Sequence, residues 1–322
     1  MKILLTGASS FTGLWFARAL HMVGHQVTAA LRQSREDYRD GPRAARVIEL
    51  GDVAECAFGL SFGDDRFLDL CRSGSWDLLC HHAAQVGDYR SAAFDVAGAL
   101  AANTRNFAEV LRAMRGLSGV VSTGSVFEAD EGAGTAPLRA FSPYGMSKSL
   151  TARLVRFWCE AAGIAIGKFV ISNPFGPFEE PRFCAYLMRQ WNAGQVAEVR
   201  TPAYVRDNIH VDLLASAYAA FVDRVAAGRG FARANPSGYV ETQGAFAERF
   251  AREIGQRTGL DCRLSLPQQT DFSEPLVRIN TEPAQVAGWS ETAAWDGIAE
   301  HYSSQIGMRT TDRGGRGGHN RK

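Results

Sequence analysis

The sequence lacks the features that mark membrane, nucleic-acid-binding and secreted proteins. None of its apolar runs approaches the ~18 residues that a membrane-spanning helix needs, so we expect no membrane partner. Its 35 Lys and Arg nearly balance 34 Asp and Glu, and this net charge of +1 predicts no nucleic-acid partner. The opening residues turn polar and glycine-rich too soon for a signal peptide, which predicts a cytoplasmic location.

Cysteine is scarce and shows no paired spacing. The six cysteines include no CxxC pair and no metal-ligand spacing with histidine, so we interpret them as reduced packing residues and predict no metal site. Hydrophobic residues nevertheless make up 46% of the 322 residues, which is enough for a large core. A chain of this length suggests about two domains.

Short apolar runs alternate with longer helical patterns along the chain. Such alternation predicts an α/β fold, in which helices cover both faces of a doubly wound parallel sheet. Ligands of such sheets bind beyond the carboxyl ends of the strands. The predicted strands are residues 2–6, 26–31, 76–81, 119–122 and 165–172, and the predicted helices are 13–23, 103–114 and one that begins near Tyr144.

The first predicted loop, Thr6 to Gly13, has the sequence TGASSFTG between a strand and a helix. Gly7 permits a tight turn and Gly13 permits close packing of the helix, while the helix N-terminus attracts a pyrophosphate. The middle position holds Ser10 instead of the usual glycine. We therefore predict a dinucleotide-binding loop, with cofactor contacts from Gly7, Ser9, Ser10, Phe11, Thr12 and Gly13.

Arg32 follows the second predicted strand, where NAD-binding folds usually present an acidic residue to the ribose. A guanidinium suits the additional 2′-phosphate of NADP instead. We therefore predict a preference for NADP(H), with NAD(H) still possible and Arg35 as an auxiliary contact. A solvated loop arginine is the alternative.

Tyr144 and Lys148 are four residues apart, a spacing that places them on one helix face. A phenol has an ordinary pKa of about 10 and is a poor acid or base at neutral pH. A nearby ammonium lowers that pKa toward the working range, so the pair is a candidate for acid–base chemistry. Thr123, at the end of a buried strand, strengthens this interpretation.

In these motifs the chain resembles the extended short-chain dehydrogenase/reductase family, the group of nucleotide-sugar epimerases, dehydratases and 4-ketoreductases. The final ~85 residues carry no specific landmark. The matching motifs are TGxxxxxG at 6–13, DxLxHxAA at 77–84, Asn103-Thr104, STGSVF at 122–127, YxxxK at 144–148, NPFGP at 173–177 and RDNIHV at 206–211.

The resemblance implies roles for individual residues. Tyr144 would be the catalytic acid/base, Lys148 would hold the nicotinamide ribose and lower the tyrosine pKa, Thr123 would bind the reacting oxygen, and Asn103 would be the structural asparagine. His81, Ala83, Ala84 and Asp64 would line the cofactor, with Asp52 as a second choice for the acidic position and His82 given only a structural role. Substrate contacts would come from Thr123, Ser125, Asn173 and Arg206, with Arg278 as a further candidate for the diphosphate.

The resemblance also implies a domain division and a homodimer. Residues 1–172 and about 205–235 would form a Rossmann domain, and about 173–204 and 236–308 a smaller C-terminal substrate lobe. The tail 309–322, RTTDRGGRGGHNRK, is rich in glycine and basic residues and is predicted to be disordered.

Three function classes fit these motifs. The first is an NAD(P)-dependent enzyme acting on a nucleotide-diphosphate sugar, with an NADPH-dependent 4-ketoreductase ahead of a 4-epimerase. The second is a reductase of a non-sugar carbonyl, and the third is a dinucleotide-sensing protein without catalysis. Dehydratases of the family follow the catalytic threonine with Asp-Glu, whereas Gly124 and Ser125 stand here, so we predict no dehydratase activity.

Overall fold

Seven parallel strands form the central sheet of the protein, whose computed structural model describes residues 1–89, 91–134 and 138–314. In the strand order β11-β7-β5-β4-β1-β2-β3, the chain first adds strands on one side of β1 and then on the other, while all seven strands stay parallel. This order confirms the predicted doubly wound α/β fold. The strands are β1 Lys2–Thr6, β2 Gln26–Leu31, β3 Glu55–Phe58, β4 Leu78–His81, β5 Gly119–Ser125, β6 Ala133–Gly134, β7 Ala165–Ile171, β8 Asn173–Phe175, β9 Ala197–Glu198, β10 Val205–His210, β11 Phe231–Ala234, β12 Pro236–Ser237, β13 Tyr239–Thr242, β14 Leu264–Ser265, β15 Val277–Ile279 and β16 Glu282–Pro283.

Helices cover both faces of the sheet and bury its central strands. Each side chain of β4 is buried, so apolar helices must pack above and below it. The helices are α1 Phe11–Met22, α2 Gly41–Leu50, α3 Asp65–Ser73, α4 Val96–Asn103, α5 Phe107–Ala113, α6 Pro143–Ala161, α7 Phe183–Asn192, α8 Val211–Ala227, α9 Gln243–Thr258 and α10 Glu291–Gly314, with a 3₁₀ turn at Arg35–Asp37.

A second, smaller core lies beyond the central sheet. It gathers apolar side chains of α7, α9 and α10 around Phe175 of β8 and Trp295. A second sheet, in which β10 pairs with β8, β13 and β15, leads from the central sheet toward this core. The division into two domains stays a prediction, although the second core lies in the segments predicted for the substrate lobe.

Apart from shifts of one or two residues at the ends of other elements, three predictions differ from the structure. The single helix over 103–114 is wrong: it is two helices, because Asn106 adopts φ 50° and donates its side-chain amide to Gly63 O at 2.9 Å. The strand predicted to end at Ser122 continues to Ser125, paired with β7. Helix α10 continues to Gly314, into the segment 309–322 predicted to be disordered, and 315–322 lie outside the described residues.

None of the described helices is both long and apolar enough to cross a membrane. Within the same residues, no cluster of His, Cys, Asp and Glu has the arrangement of a metal site.

Candidate active site

The loop between β1 and α1 depends on two glycines for steric reasons. Gly7 has φ +75°, and a Cβ there would lie 2.7 Å from the backbone nitrogen of Ala83. A Cβ on Gly13 would lie 2.2 Å from Gly7 O. Ser10 caps α1 by accepting the Gly13 N–H at 3.1 Å. The loop therefore forms a close-packed backbone cradle at a helix N-terminus, which suits a pyrophosphate.

The end of β4 lies beside this cradle. Thr6 Oγ1 accepts the backbone N–H of Ala83 at 3.0 Å, which fixes the strand end against the loop. His81 is 2% exposed, and its ring is bonded to Thr6 Oγ1 at 3.1 Å and Asn103 O at 2.9 Å. Burial lowers the pKa of His81 to about 4. Its side chain lies in the core, so His81 would line a cofactor through its backbone, and this role stays a prediction. Ala84, three residues further on, is half-buried.

The three residues considered as adenosine contacts occupy different positions in the structure. Arg32 is exposed directly after β2, and it forms no hydrogen bond or ion pair with any residue the structure describes. Asp64 caps α3, and its two carboxylate oxygens accept the backbone N–H groups of Phe67 at 2.8 Å and Ser61 at 3.0 Å. Asp52 precedes β3 and lines a groove at the opposite, amino edge of the sheet. The structure therefore favours Asp64 over Asp52 as the residue near an adenine.

Thr123 and Lys148 meet at the carboxyl end of β5. The Lys148 ammonium donates to Thr123 O at 2.6 Å, and both side chains are buried. Burial lowers the pKa of Lys148, Glu128 opposes that shift and Lys168 adds to it. The first turn of α6, capped by Ser142, carries Tyr144 one turn before Lys148. The structure thus brings together the strand and helix that carry the three predicted catalytic side chains.

Aromatic rings surround Tyr144. The rings of Tyr89, Phe94 and Phe127 lie 5.9–6.3 Å from its ring, centre to centre. Burial and the negative charge of Glu128 raise the pKa of Tyr144, and Arg182 opposes them. The pKa of Tyr144 is therefore raised overall in this structure, and its lowering by Lys148 stays a prediction. Tyr144 keeps its proton.

Asn103, the last residue of α4, ties three segments together. Its Oδ1 accepts the Gln85 N–H at 2.8 Å, and its Nδ2 donates to Thr151 Oγ1 on α6 at 3.3 Å. Its carbonyl also bonds His81. These contacts give Asn103 a structural position between the end of β4 and the helix of Tyr144.

Sequence reasoning missed the contacts of His82. Its Nδ1 lies 2.8 Å from Thr123 Oγ1, and its Nε2 lies 3.0 Å from Ser10 Oγ and 2.9 Å from Thr12 Oγ1. One imidazole therefore joins the dinucleotide loop to the candidate catalytic threonine. One signal in the sequence could have indicated these contacts. His81 and His82 are consecutive at a strand end, so their side chains point to opposite faces of the sheet and have different neighbours.

A buried ionic cluster beside the site was also missed. Lys168 Nζ lies 2.6 Å from both Glu128 Oε2 and Glu131 Oε1, and Arg233 pairs with Glu131 at 2.6 Å. Glu128 also accepts the Ser125 N–H at 2.8 Å. Here the cluster supports the chain directly after Thr123. A Cβ on Gly124 would lie 2.9 Å from Lys168 Cε and 3.0 Å from Glu128 Oε1, so the dehydratase aspartate has little room.

The predicted diphosphate contacts are already engaged within the protein. Asn173 pairs with Asn208 in the strand that carries Arg206, so the two predicted residues lie on neighbouring strands. Arg206 Nη2 lies 2.9 Å from Glu274, and its guanidinium lies 4.3 Å from the ring centre of Tyr204. Arg278 is 3% exposed and donates to the carbonyls of Val126, Glu128 and Arg139, which makes it a structural residue.

Comparison with known proteins agrees with this arrangement. The sequence model of the family described as "NAD dependent epimerase/dehydratase family" matches residues 3–235. No curated protein matched the sequence.

Solved structures share the whole fold at low identity. A UDP-glucose 4-epimerase from Thermotoga maritima, solved with UDP-glucose, has TM-score 0.71 and 18% identity over 95% of this chain and 100% of its own. A UDP-glucose 4-epimerase from Stenotrophomonas maltophila was solved with NAD and formylated UDP-arabinopyranose. It has TM-score 0.72 and 20% identity over 97% of this chain and 99% of its own. A dTDP-glucose 4,6-dehydratase from Streptomyces venezuelae, solved with NAD, has TM-score 0.69 and 18% identity over 96% and 98%.

Proposed function

Because the chain belongs to the NAD-dependent epimerase/dehydratase family, we propose that it transfers a hydride between NADP(H) and C4 of a nucleotide-activated sugar, in the direction of a 4-ketoreductase. The observation that carries the proposal is the meeting of Thr123 and Lys148, joined at 2.6 Å, beside Tyr144 at the carboxyl edge of the sheet. The candidate dinucleotide loop lies at the same edge.

The residues present fit a dinucleotide cofactor. A Cβ on Gly7 or Gly13 would clash with neighbouring backbone, so the loop lies close against the end of β4. The first-turn N–H groups of α1 have no carbonyl partner within the helix, and Ser10 Oγ accepts that of Gly13. Bound NADPH supplies a hydride. Lys148 is positioned by its bond to Thr123 O, from where it would hold the nicotinamide ribose.

The side chains of this site supply the proton and fix the reacting oxygen. Tyr144 keeps its proton because burial raises its pKa, so it is in the correct state to protonate the oxygen of a ketone under reduction. The Thr123 hydroxyl donates a hydrogen bond to the same oxygen. The half-buried aromatic rings around Tyr144 would shield the reacting carbon from water.

The nucleotide-sugar substrate is supported by the ligands of the solved relatives, which include UDP-glucose and formylated UDP-arabinopyranose. In this chain, Arg206 bonds to Glu274, so a diphosphate must displace that carboxylate to reach the guanidinium. Asn173 and Arg206 then supply a fixed amide and a forked cation for phosphate oxygens.

The NADP(H) preference is supported by Arg32, an exposed cation without a described partner where the adenosine ribose is expected. Net reduction consumes cofactor in each turnover and therefore suits NADPH. Two of the solved relatives named above were solved with NAD, so both cofactors belong in the assay.

A 4-epimerase is the second candidate. It uses the same side chains, removing a hydride from C4 and returning it to the other face. Its support comes from two solved relatives that are 4-epimerases.

A reductase of a non-sugar carbonyl is favoured by one observation, the engagement of Arg206 by Glu274. Thr123, Tyr144 and Lys148, all present together, argue against a sensor without catalysis. The homodimer and the cytoplasmic location stay predictions.

The test is stoichiometric. The purified protein is incubated with 4-keto derivatives of UDP-glucose and dTDP-glucose and with NADPH, while absorbance and product are followed together. A 4-ketoreductase oxidises one NADPH for each alcohol formed. Interconversion of UDP-glucose and its C4 epimer, without a net change in NADPH, would establish the 4-epimerase instead. Reduction of simple ketones in preference to any nucleotide sugar would establish the third candidate.

A further inference from the structure

His82 joins two parts of the site that carry separate tasks. Its Nδ1 lies 2.8 Å from Thr123 Oγ1 on β5, while its Nε2 meets the hydroxyls of Ser10 and Thr12 in the dinucleotide loop. The ring packs edge-on against Phe16 with centres 5.0 Å apart. Its position and orientation are therefore defined on both sides.

The imidazole is neutral at ordinary pH. Burial lowers the pKa of His82 to about 3; the positive charge of Lys148 acts in the same direction, as does His81 when it is protonated. A neutral imidazole carries one N–H and one lone pair, so its two nitrogens have different roles. His82 is therefore neither a general acid nor a general base near pH 7.

The surrounding hydroxyls determine which nitrogen carries the hydrogen. Ser10 Oγ accepts the Gly13 N–H at 3.1 Å, and the acceptor within reach of its own hydrogen, among residues the structure describes, is His82 Nε2. The hydroxyl of Thr12 has the same acceptor at 2.9 Å. The Ser10 hydroxyl thus donates to Nε2, which holds the single lone pair of the ring, and the Thr12 hydroxyl shares this acceptor. The hydrogen is then on Nδ1 and is donated to Thr123 Oγ1.

We propose that His82 is a positioning residue that holds the Thr123 hydroxyl with its hydrogen directed toward the substrate oxygen. Since Oγ1 accepts from His82 Nδ1–H, the hydrogen of Thr123 is left to donate. A threonine without this donor would rotate among several orientations, of which few face the substrate. The inference deepens the proposed function and rests on it, because the oxygen concerned is that of the ketone under reduction.

A spectroscopic measurement tests the inference without any substrate. The protein is labelled with ¹⁵N in its histidine rings, and the His82 signals are assigned by their loss in His82→Asn. We expect a neutral ring protonated on Nδ1 from about pH 6 to about pH 9, with and without NADP⁺. Protonation on Nε2, or a charged ring in this range, overturns the proposal. This result is independent of whether the protein acts on nucleotide sugars.

Kinetics of matched variants provide the second test, with NADPH and the 4-keto derivative of UDP-glucose or dTDP-glucose that is turned over. His82→Leu removes the donor at similar volume, and we expect kcat to fall about tenfold with KM changed less than about twofold. His82→Asn places an amide N–H near the Nδ1 position and should restore most of kcat. In Thr123→Val, His82→Leu should cause little further loss. Equal losses in both His82 variants, or additive losses with Thr123→Val, contradict the proposal.

His210→Leu is the control for simple loss of a buried imidazole. His210 is 2% exposed, burial lowers its pKa to about 3, and it packs among aromatic rings of β8 and α10. We expect this variant to unfold at a lower temperature while kcat stays within about twofold of the wild type. If the wild type reduces none of the keto-sugars, the proposed function fails, whereas the ring spectrum still decides the protonation of His82.

Discussion

Replacement of Lys168 by methionine perturbs the ionic cluster that supports the end of β5. Lys168 lies 2.6 Å from both Glu128 and Glu131, and the side chain of Glu128 is fully buried. Burial lowers the pKa of Lys168, but the two carboxylates more than offset this and raise it overall. The ammonium is therefore held charged at the centre of the cluster. Lys168→Met leaves Glu128 without its cation, since Arg233 pairs only with Glu131 among the described residues.

The expected cost is large. Breaking a buried ion pair by removing one partner destabilises a protein by about 3–5 kcal/mol, because the other charge is left uncompensated. For a chain of 322 residues that corresponds to a fall in Tm of roughly 4–7 °C. Since Glu128 also accepts the Ser125 N–H, two residues after Thr123, we expect kcat to fall as well.

The assay is thermal unfolding followed by circular dichroism at low salt and at about 1 M NaCl. Arg112→Met is the matched control, since Arg112 pairs with Glu109 at 2.6 Å with side chains 68% and 49% exposed. The control should shift Tm by no more than about 1–2 °C. The deficit of Lys168→Met should persist at high salt, because buried charges are poorly screened. A shift no larger than that of the control would refute this reasoning.

Three further predictions concern the cofactor, the substrate and pH. Arg32→Ala should weaken NADP(H) binding by about 1.5–3 kcal/mol and leave NAD(H) binding little changed, measured by calorimetry; tighter NAD binding to the wild type would contradict the assignment. Glu274→Gln should free Arg206 and lower KM for a nucleotide sugar several-fold, whereas Arg206→Met should raise it; if neither change alters KM, Arg206 does not bind the substrate. Burial raises the pKa of Glu179 from its ordinary 4.5 to about 7, so ionisation costs stability as pH rises through this range. Glu179→Gln should therefore raise Tm at about pH 8 more than at about pH 5, and an equal shift at both would rule out this account.

The sequence predicted correctly those strands whose first and last residues are determined by their immediate neighbours in the chain. Strands β1 and β2 have the predicted bounds, since each is a short apolar run enclosed by polar residues or glycine. The loop glycines were predictable for the same reason. The break between α4 and α5 was not, because it depends on the contact of Asn106 with Gly63, far away in sequence.

The missed parts of the site depend on strand pairing. His82 reaches Thr123 because β4 pairs with β5 in a register that places His81 beside Ser122. The pairing of β5 with β7 likewise places Lys168 beside Ser122, one residue from Thr123. The capture of Arg206 by Glu274 joins residues 68 positions apart. None of these contacts has a local signature, since each follows from tertiary register.

The central claim is that Thr123, Tyr144 and Lys148 direct a hydride between cofactor and a substrate carbon. The most direct measurement uses NADPH that carries deuterium at the transferred position of the nicotinamide, with a 4-keto nucleotide sugar as acceptor and mass spectrometry of the product. The account predicts one deuterium on C4 of the alcohol, formed at least about a hundredfold more slowly by Tyr144→Phe, which keeps the ring but lacks the proton. An alcohol formed without deuterium, or formed equally fast by Tyr144→Phe, would contradict it.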